Sequence, residues 1–138
     1  MTATPAQALT EIAMLLTDNF AGPVSLPNMD FTEPTDMDTV WARLTLEQTV
    51  MAQSTLANVN NMRRYTNEGI GTVRLFFPPG KGIKAPYEQA DTVAGYYRGK
   101  RTVSDIWFRN VTITHPQDIR SKHYVLDVIF DFLYDQIS

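Results

Sequence analysis

Residues able to do chemistry are sparse in this 138-residue chain. Cysteine is absent, which excludes a thiol nucleophile, a disulfide framework and any cysteine metal site. The two histidines, His115 and His123, stand eight residues apart and match no zinc spacing, so carboxylates would have to complete a site. No serine lies in a G-x-S-x-G turn. Gly80-Lys81-Gly82-Ile83-Lys84 precedes a helical pattern, where backbone N–H groups and lysines attract anions. It is too short for a Walker A loop, and Ile83 stands where serine or threonine should follow the lysine. The plainer reading is a glycine turn with solvated lysines. Asp36-x-Asp38 lacks the glycine and terminal glutamate of an EF-hand loop. Asp127 and Asp131 share a strand face at a separation of four, a polar stripe rather than a paired-carboxylate centre. No catalytic residue, cofactor site or metal site is expected.

What remains is charge, and it is segregated. Asp30, Glu33, Asp36 and Asp38 lie between Gly22 and Thr39, and no Lys or Arg occurs before Arg43. Such a loop is either simply solvated or an acidic surface that docks on a basic neighbour. Arg98, Lys100 and Arg101 cluster around Gly99 at the end of a helical pattern. They either complement the helix dipole beside a glycine stop or offer a surface to phosphate or an acidic partner. Arg63, Arg64 and Arg74 are further basic candidates. The formal net charge of −3 argues against non-specific nucleic-acid binding, and no RNP-type motif is present. Opposite charges on separate loops suit head-to-tail contacts between identical subunits, which close into rings where the rotation allows.

The elements that must carry these loops are readable from periodicity. Thr4 and Pro5 open a helix to about Asn19, with Leu9, Ile12, Ala13, Leu16 and Phe20 on one stripe. Val24 and Leu26 allow a short edge strand. Val40 to Met51 alternates, with Ala42, Leu44 and Leu46 facing a core and Trp41, Arg43, Thr45 and Glu47 facing away. Trp41 on that polar face is expected to lie under a helix or loop. The polar stretch from Ala52 to Thr66 reads as the arm of a hairpin leading to the Thr72–Phe77 strand. Ile83, Tyr87, Ala90, Ala94 and Tyr97 predict the stripe of a second helix, with Pro86 in its first turn and Glu88 and Asp91 complementing its N-terminus. In Thr102–Thr114, strict alternation puts Trp107, Val111 and Ile113 on one face and Phe108 on the other. Lys122 to Tyr134 is the last strand, apolar at Tyr124, Leu126, Val128, Phe130, Phe132 and Tyr134.

The sum is one α+β domain over residues 1–138: a mostly antiparallel or mixed sheet with two main helices packed on one side. No run is long and apolar enough to span a membrane, and the N-terminus has no basic region followed by an apolar stretch, so synthesis in the cytosol is the expectation.

The W-A-R-L-T strand at Trp41–Thr45, the R-R-Y-T…G…V-x-L-F-x-P-x-G-x-G run from Arg63 to Gly82, the helix from Ala85 to Val93 and the basic segment from Arg98 to Phe108 together resemble tail terminator proteins of long-tailed, siphovirus-like bacteriophages. The resemblance covers nearly the whole chain and is least in Gly22–Thr39. It implies a structural virion protein, not an enzyme, that forms a hexameric ring on the head-proximal end of the tail tube. The ring ends tube polymerisation, docks the head-completion or neck protein and lets genome DNA pass through its lumen. It implies assembly in the host cytoplasm and residence in the virion tail. Asp30, Glu33, Asp36 and Asp38 are then candidates to meet Arg63, Arg64 or Arg74 of a neighbour, with Arg98, Lys100 and Arg101 as further contacts. A head–tail joining protein is the nearest other reading, and a small anion-binding domain built on Gly80–Lys84 is a more distant one.

Overall fold

Helix α1 (Pro5–Thr17) starts where its sequence says it should. The Thr4 hydroxyl accepts from the Gln7 N–H at 3.2 Å, and the Gln7 side chain accepts from the Thr4 N–H at 3.0 Å, a reciprocal cap that satisfies two otherwise orphaned donors. Its apolar stripe, Ala8, Ile12 and Leu16, is fully buried. This computed structural model describes residues 3–53, 64–116 and 122–137.

Strands β1 (Val24–Ser25), β2 (Trp41–Gln53), β3 (Arg64–Phe77), β4 (Trp107–Thr114) and β5 (Tyr124–Ile137) form one sheet in the order β1-β2-β3-β5-β4. Only β1, running beside β2, is parallel. Helices α1 and α2 (Lys84–Tyr97) cover one face. The core lies between, built from Ala42 and Leu44 of β2, Val73, Leu75 and Phe77 of β3, and the even-numbered side chains of β5. The expected α+β sandwich is what forms, with β2 and β3 paired as a long hairpin whose tip lies outside the described residues.

The centre of that core rests on two glycines. Gly71 lies opposite Phe130, and Gly69 opposite Phe132. A Cβ on either glycine would overlap the facing phenyl ring. The strand therefore gives up β-propensity at these positions to seat aromatic rings flat on its backbone. Phe130 in turn stacks on Tyr97 of α2 at 4.1 Å and meets Phe108 edge-on at 5.5 Å, tying helix to sheet. Tyr97 is completely buried, and its hydroxyl reaches the Ile12 carbonyl of α1 at 3.4 Å. Burial holds that phenol far above its ordinary pKa.

Three sequence expectations need correction. The buried stripe of α2 is Pro86, Ala90, Val93, Ala94 and Tyr97, whereas Ile83 and Tyr87 are exposed. The helix begins at Lys84, so Pro86 does sit in its first turn, but Glu88 and Asp91 fall beyond that turn and cannot complement its N-terminus. In β4, Asn110 takes a left-handed backbone (φ 55°), and Asn110 and Val111 both fall opposite Phe130 between the Arg109↔Asp131 and Thr112↔Ile129 pairs. This β-bulge switches the alternation, so Phe108, Val111 and Ile113 all face the core and Trp107 is left half exposed on the other side.

Candidate interaction surface

The sheet face turned away from the helices carries Arg74, Asp127 and Asp131 among the charges singled out in the sequence. Its first row is aromatic. Trp41 and Phe76 stack at 3.9 Å with planes 7° apart, backed by Val125. Phe31, from the acidic loop between β1 and β2, stacks on Trp41 at 5.2 Å. Trp41 thus lies under a loop and is 1% exposed, as its place on a polar face led us to expect. Arg43 completes the group: its guanidinium carbon is 5.3 Å from the Trp41 ring centre and 5.7 Å from that of Phe76.

The next row carries the strongest ion pair described. Arg74 on β3 and Asp127 on β5 are register partners. Arg74 Nε donates to Asp127 Oδ1 at 2.8 Å and Nη2 to Oδ2 at 3.0 Å, a two-point fork. Asp127 is buried, so it needs this partner. The hydrogen bond to Asp127 raises the Arg74 pKa further, against the opposing effect of burial. Arg43 stands directly across from Arg74 on β2. Further along, Asn110 Nδ2 donates to Asp131 Oδ2 at 2.8 Å, and Arg109 approaches Glu68 at 3.7 Å. Asp127 and Asp131 are thus spoken for separately, in keeping with a polar stripe. The face is a set of cross-strand pairs, each set by register.

The acidic candidates separate in role. Glu33 reaches Arg43 of its own chain at 3.8 Å with both groups exposed, a weak contact. Asp36 turns inward on its loop, accepting from the Asp38 N–H at 2.9 Å, while its carbonyl accepts from Thr39 at 3.1 Å. Asp30, Glu33, Asp36 and Asp38 are all exposed. Among the basic candidates, Arg74 is engaged within the chain by Asp127, so a neighbour's carboxylate would have to compete with that fork. Arg63 lies outside the described residues, as does the side chain of Arg64, whose backbone opens β3 opposite Ile137. Arg98 approaches Asp91 at 3.4 Å. Arg101 lies 4.5 Å over the Trp107 ring and 3.9 Å from Asp105. Gly99 has φ 71°, the glycine stop expected after α2. Arg98, Lys100 and Arg101 are all exposed.

The sheet order brings these groups to opposite ends. The acidic loop joins β1 to β2 at one end, and the basic segment leads into β4 at the other. The loop after α2 is held in place by Glu11 of α1, whose Oε1 accepts from the Ser104 N–H at 3.1 Å. Burial would raise the Glu11 pKa, but hydrogen bonds from Ser104 and Thr102 outweigh it and hold the carboxyl below its ordinary range. The glycine–lysine turn before α2 is exposed, with Gly80 and Gly82 both at positive φ and no side chain capping the helix. Among the described residues, no group of three or more His, Asp or Glu side chains is placed to hold a metal ion. Phe31 went unremarked in the sequence because a lone aromatic in a proline-rich loop has no periodic context.

Comparison with known proteins agrees with this architecture. Nine chains among the solved structures match. One of them shares 15% identity, superposes with a TM-score of 0.58, and is matched over 95% of this chain and 96% of its own, which supports the fold. No curated protein matches. The family model described as phage tail terminator protein matches residues 6–121. This α+β chain, with that match across most of its length, belongs to the phage tail terminator family.

Proposed function

We propose that this protein forms a ring, hexameric as the family resemblance implies, on the head-proximal end of the phage tail tube, where it ends polymerisation and presents the docking surface for the neck. Family membership makes it a structural component of the phage tail that assembles with other virion proteins. The observation that carries the finer reading is the placement of opposite charge at the two ends of one sheet, acidic beside β1 and β2 and basic beside β4. A surface that differs at its two ends favours head-to-tail contacts over two-fold ones. Exposed Asp30, Asp36 and Asp38 facing Arg98, Lys100 and Arg101 of the next copy is the pairing most accessible on both sides. A net-acidic chain also suits a lumen along which DNA slides without sticking.

Electron microscopy of tails assembled with and without the protein tests the role. Overlong, head-free tubes in its absence, returned to uniform length when it is supplied, are the expected result. Tubes of normal length that fail to join heads would assign it to the joining step instead. Reversing Arg98, Lys100 and Arg101 to Glu should weaken the ring, most visibly at low salt, as sedimentation would read.

A further inference from the structure

The loop between β1 and β2 is tied to the rest of the chain at few points. From Pro27 to Asp38 it holds no helix or strand, and among the described residues no backbone hydrogen bond joins that stretch to the sheet. Its own hydrogen bonds close locally, from the Asp38 N–H to Asp36 Oδ1 and from the Thr39 N–H to the Asp36 carbonyl. Two side chains reach back to the sheet. Phe31 stacks on Trp41 at 5.2 Å, and Glu33 lies 3.8 Å from Arg43 with both groups exposed. That ion pair is too long for a hydrogen bond and contributes little in water. Of the apolar residues in the stretch, Phe31 alone packs on a buried cluster.

What Phe31 covers has an unmet need. Trp41 is 1% exposed, and its indole N–H is enclosed with no hydrogen-bond acceptor among the described residues. Trp41 stands outside the helix-covered core, so this loop is the layer between its ring and solvent. An enclosed donor without a partner costs free energy of the same order as an aromatic stack returns. Lifting Phe31 loses the stack and lets water reach the N–H. The two effects nearly offset, which leaves the docked loop only slightly favoured.

We infer that residues 27–38 form a latch with two states, docked with Phe31 on Trp41 and released with the Trp41 indole N–H open to water. Phe31 is the pin and the Glu33–Arg43 contact a minor tether. Release uncovers Trp41, Phe76 and Arg43 together and frees Asp30, Asp36 and Asp38 from a fixed position. Docking therefore sets where the acidic surface stands before any partner arrives. The latch is a property of the single chain and does not depend on the ring.

The test uses the full chain carrying Trp107→Phe, which leaves Trp41 as its one tryptophan. NMR follows exchange with water of the Trp41 indole N–H and of the Val128 amide, each compared with the unfolded chain. Strand β5 is paired on both sides, so Val128 reports opening of the whole sheet. The indole should be protected only about tenfold, against at least about a thousandfold for Val128. Urea below the unfolding transition should lower the protection of Val128 and leave that of the indole unchanged, because release exposes little surface. Phe31→Ala should remove most of the indole's protection while Val128 stays strongly protected. Met29→Ala, at an exposed residue of the same loop, should remove none. An indole as protected as Val128, and falling with it in urea, would overturn the inference, because Trp41 would then open only as the sheet unfolds. So would an indole unprotected in the parent chain, or protection that survives Phe31→Ala. A Glu33→Gln effect as large as that of Phe31→Ala would overturn Phe31 as the pin.

Discussion

The two faces of the sheet are held by different physics. The helix-covered face is an interlocked apolar layer in which Phe130 sits on Gly71 and under Tyr97. The open face is a series of small side-chain groups set by register, beginning with the cluster of Trp41, Phe76, Phe31 and Arg43 and the Arg74–Asp127 pair. One face carries stability through mutual dependence. The other is held by local contacts that each involve few residues.

The contrast predicts a ranking. Phe130→Ala should cost about 3–5 kcal/mol in chemical denaturation, the largest single effect, because it empties the space between Gly71 and Tyr97. Gly71→Ala should destabilise the native chain yet cost markedly less in the Phe130→Ala background, since the clash is with that ring. Equal costs in both backgrounds would mean the two positions are not coupled. On the open face, Arg74→Ala should cost about 1–3 kcal/mol, because it strands the buried Asp127 carboxylate, and Arg74→Ala with Asp127→Ala should recover part of it. Phe31→Ala should cost only about 0.5–1.5 kcal/mol. It should shift Trp41 emission to the red in a Trp107→Phe background, which removes the exposed indole. The smallest effect is at Glu11. Its folded pKa is depressed below the ordinary 4.5, so its contribution is present above that value and is lost as pH falls through the depressed one. Glu11→Gln should therefore cost under about 1 kcal/mol at neutral pH, and the difference from the native chain should vanish in acid.

The same contrast explains what could be read from the sequence. The covered face announces itself through period: the Thr4 cap, the α1 stripe and the six even-numbered side chains of β5 all fell where alternation and capping put them. Two local surprises broke the pattern. A single left-handed residue, Asn110, switches the parity of β4, and asparagine is common enough outside bulges to give no warning. Helix α2 turned its stripe toward Val93 because the sheet beneath, not the sequence of apolar steps, decides which residues face inward. The open face was legible only as a list of charged residues. Arg74 and Asp127 were both noticed, but they lie 53 residues apart and meet through the pairing of β3 with β5, which no local rule supplies.

The glycine seats on β3 have one more consequence, for error rather than strength. If β5 slid by two residues against β3, every side chain would keep its inward or outward direction, so burial alone would scarcely distinguish the wrong alignment from the right one. A slide one way would drive Phe130 onto Val73; a slide the other way would move Phe132 from Gly69 to Asn67. Only the native alignment gives both rings a bare stretch of backbone. The pair works as a two-pin key, rejecting near-miss alignments that the hydrophobic pattern would admit.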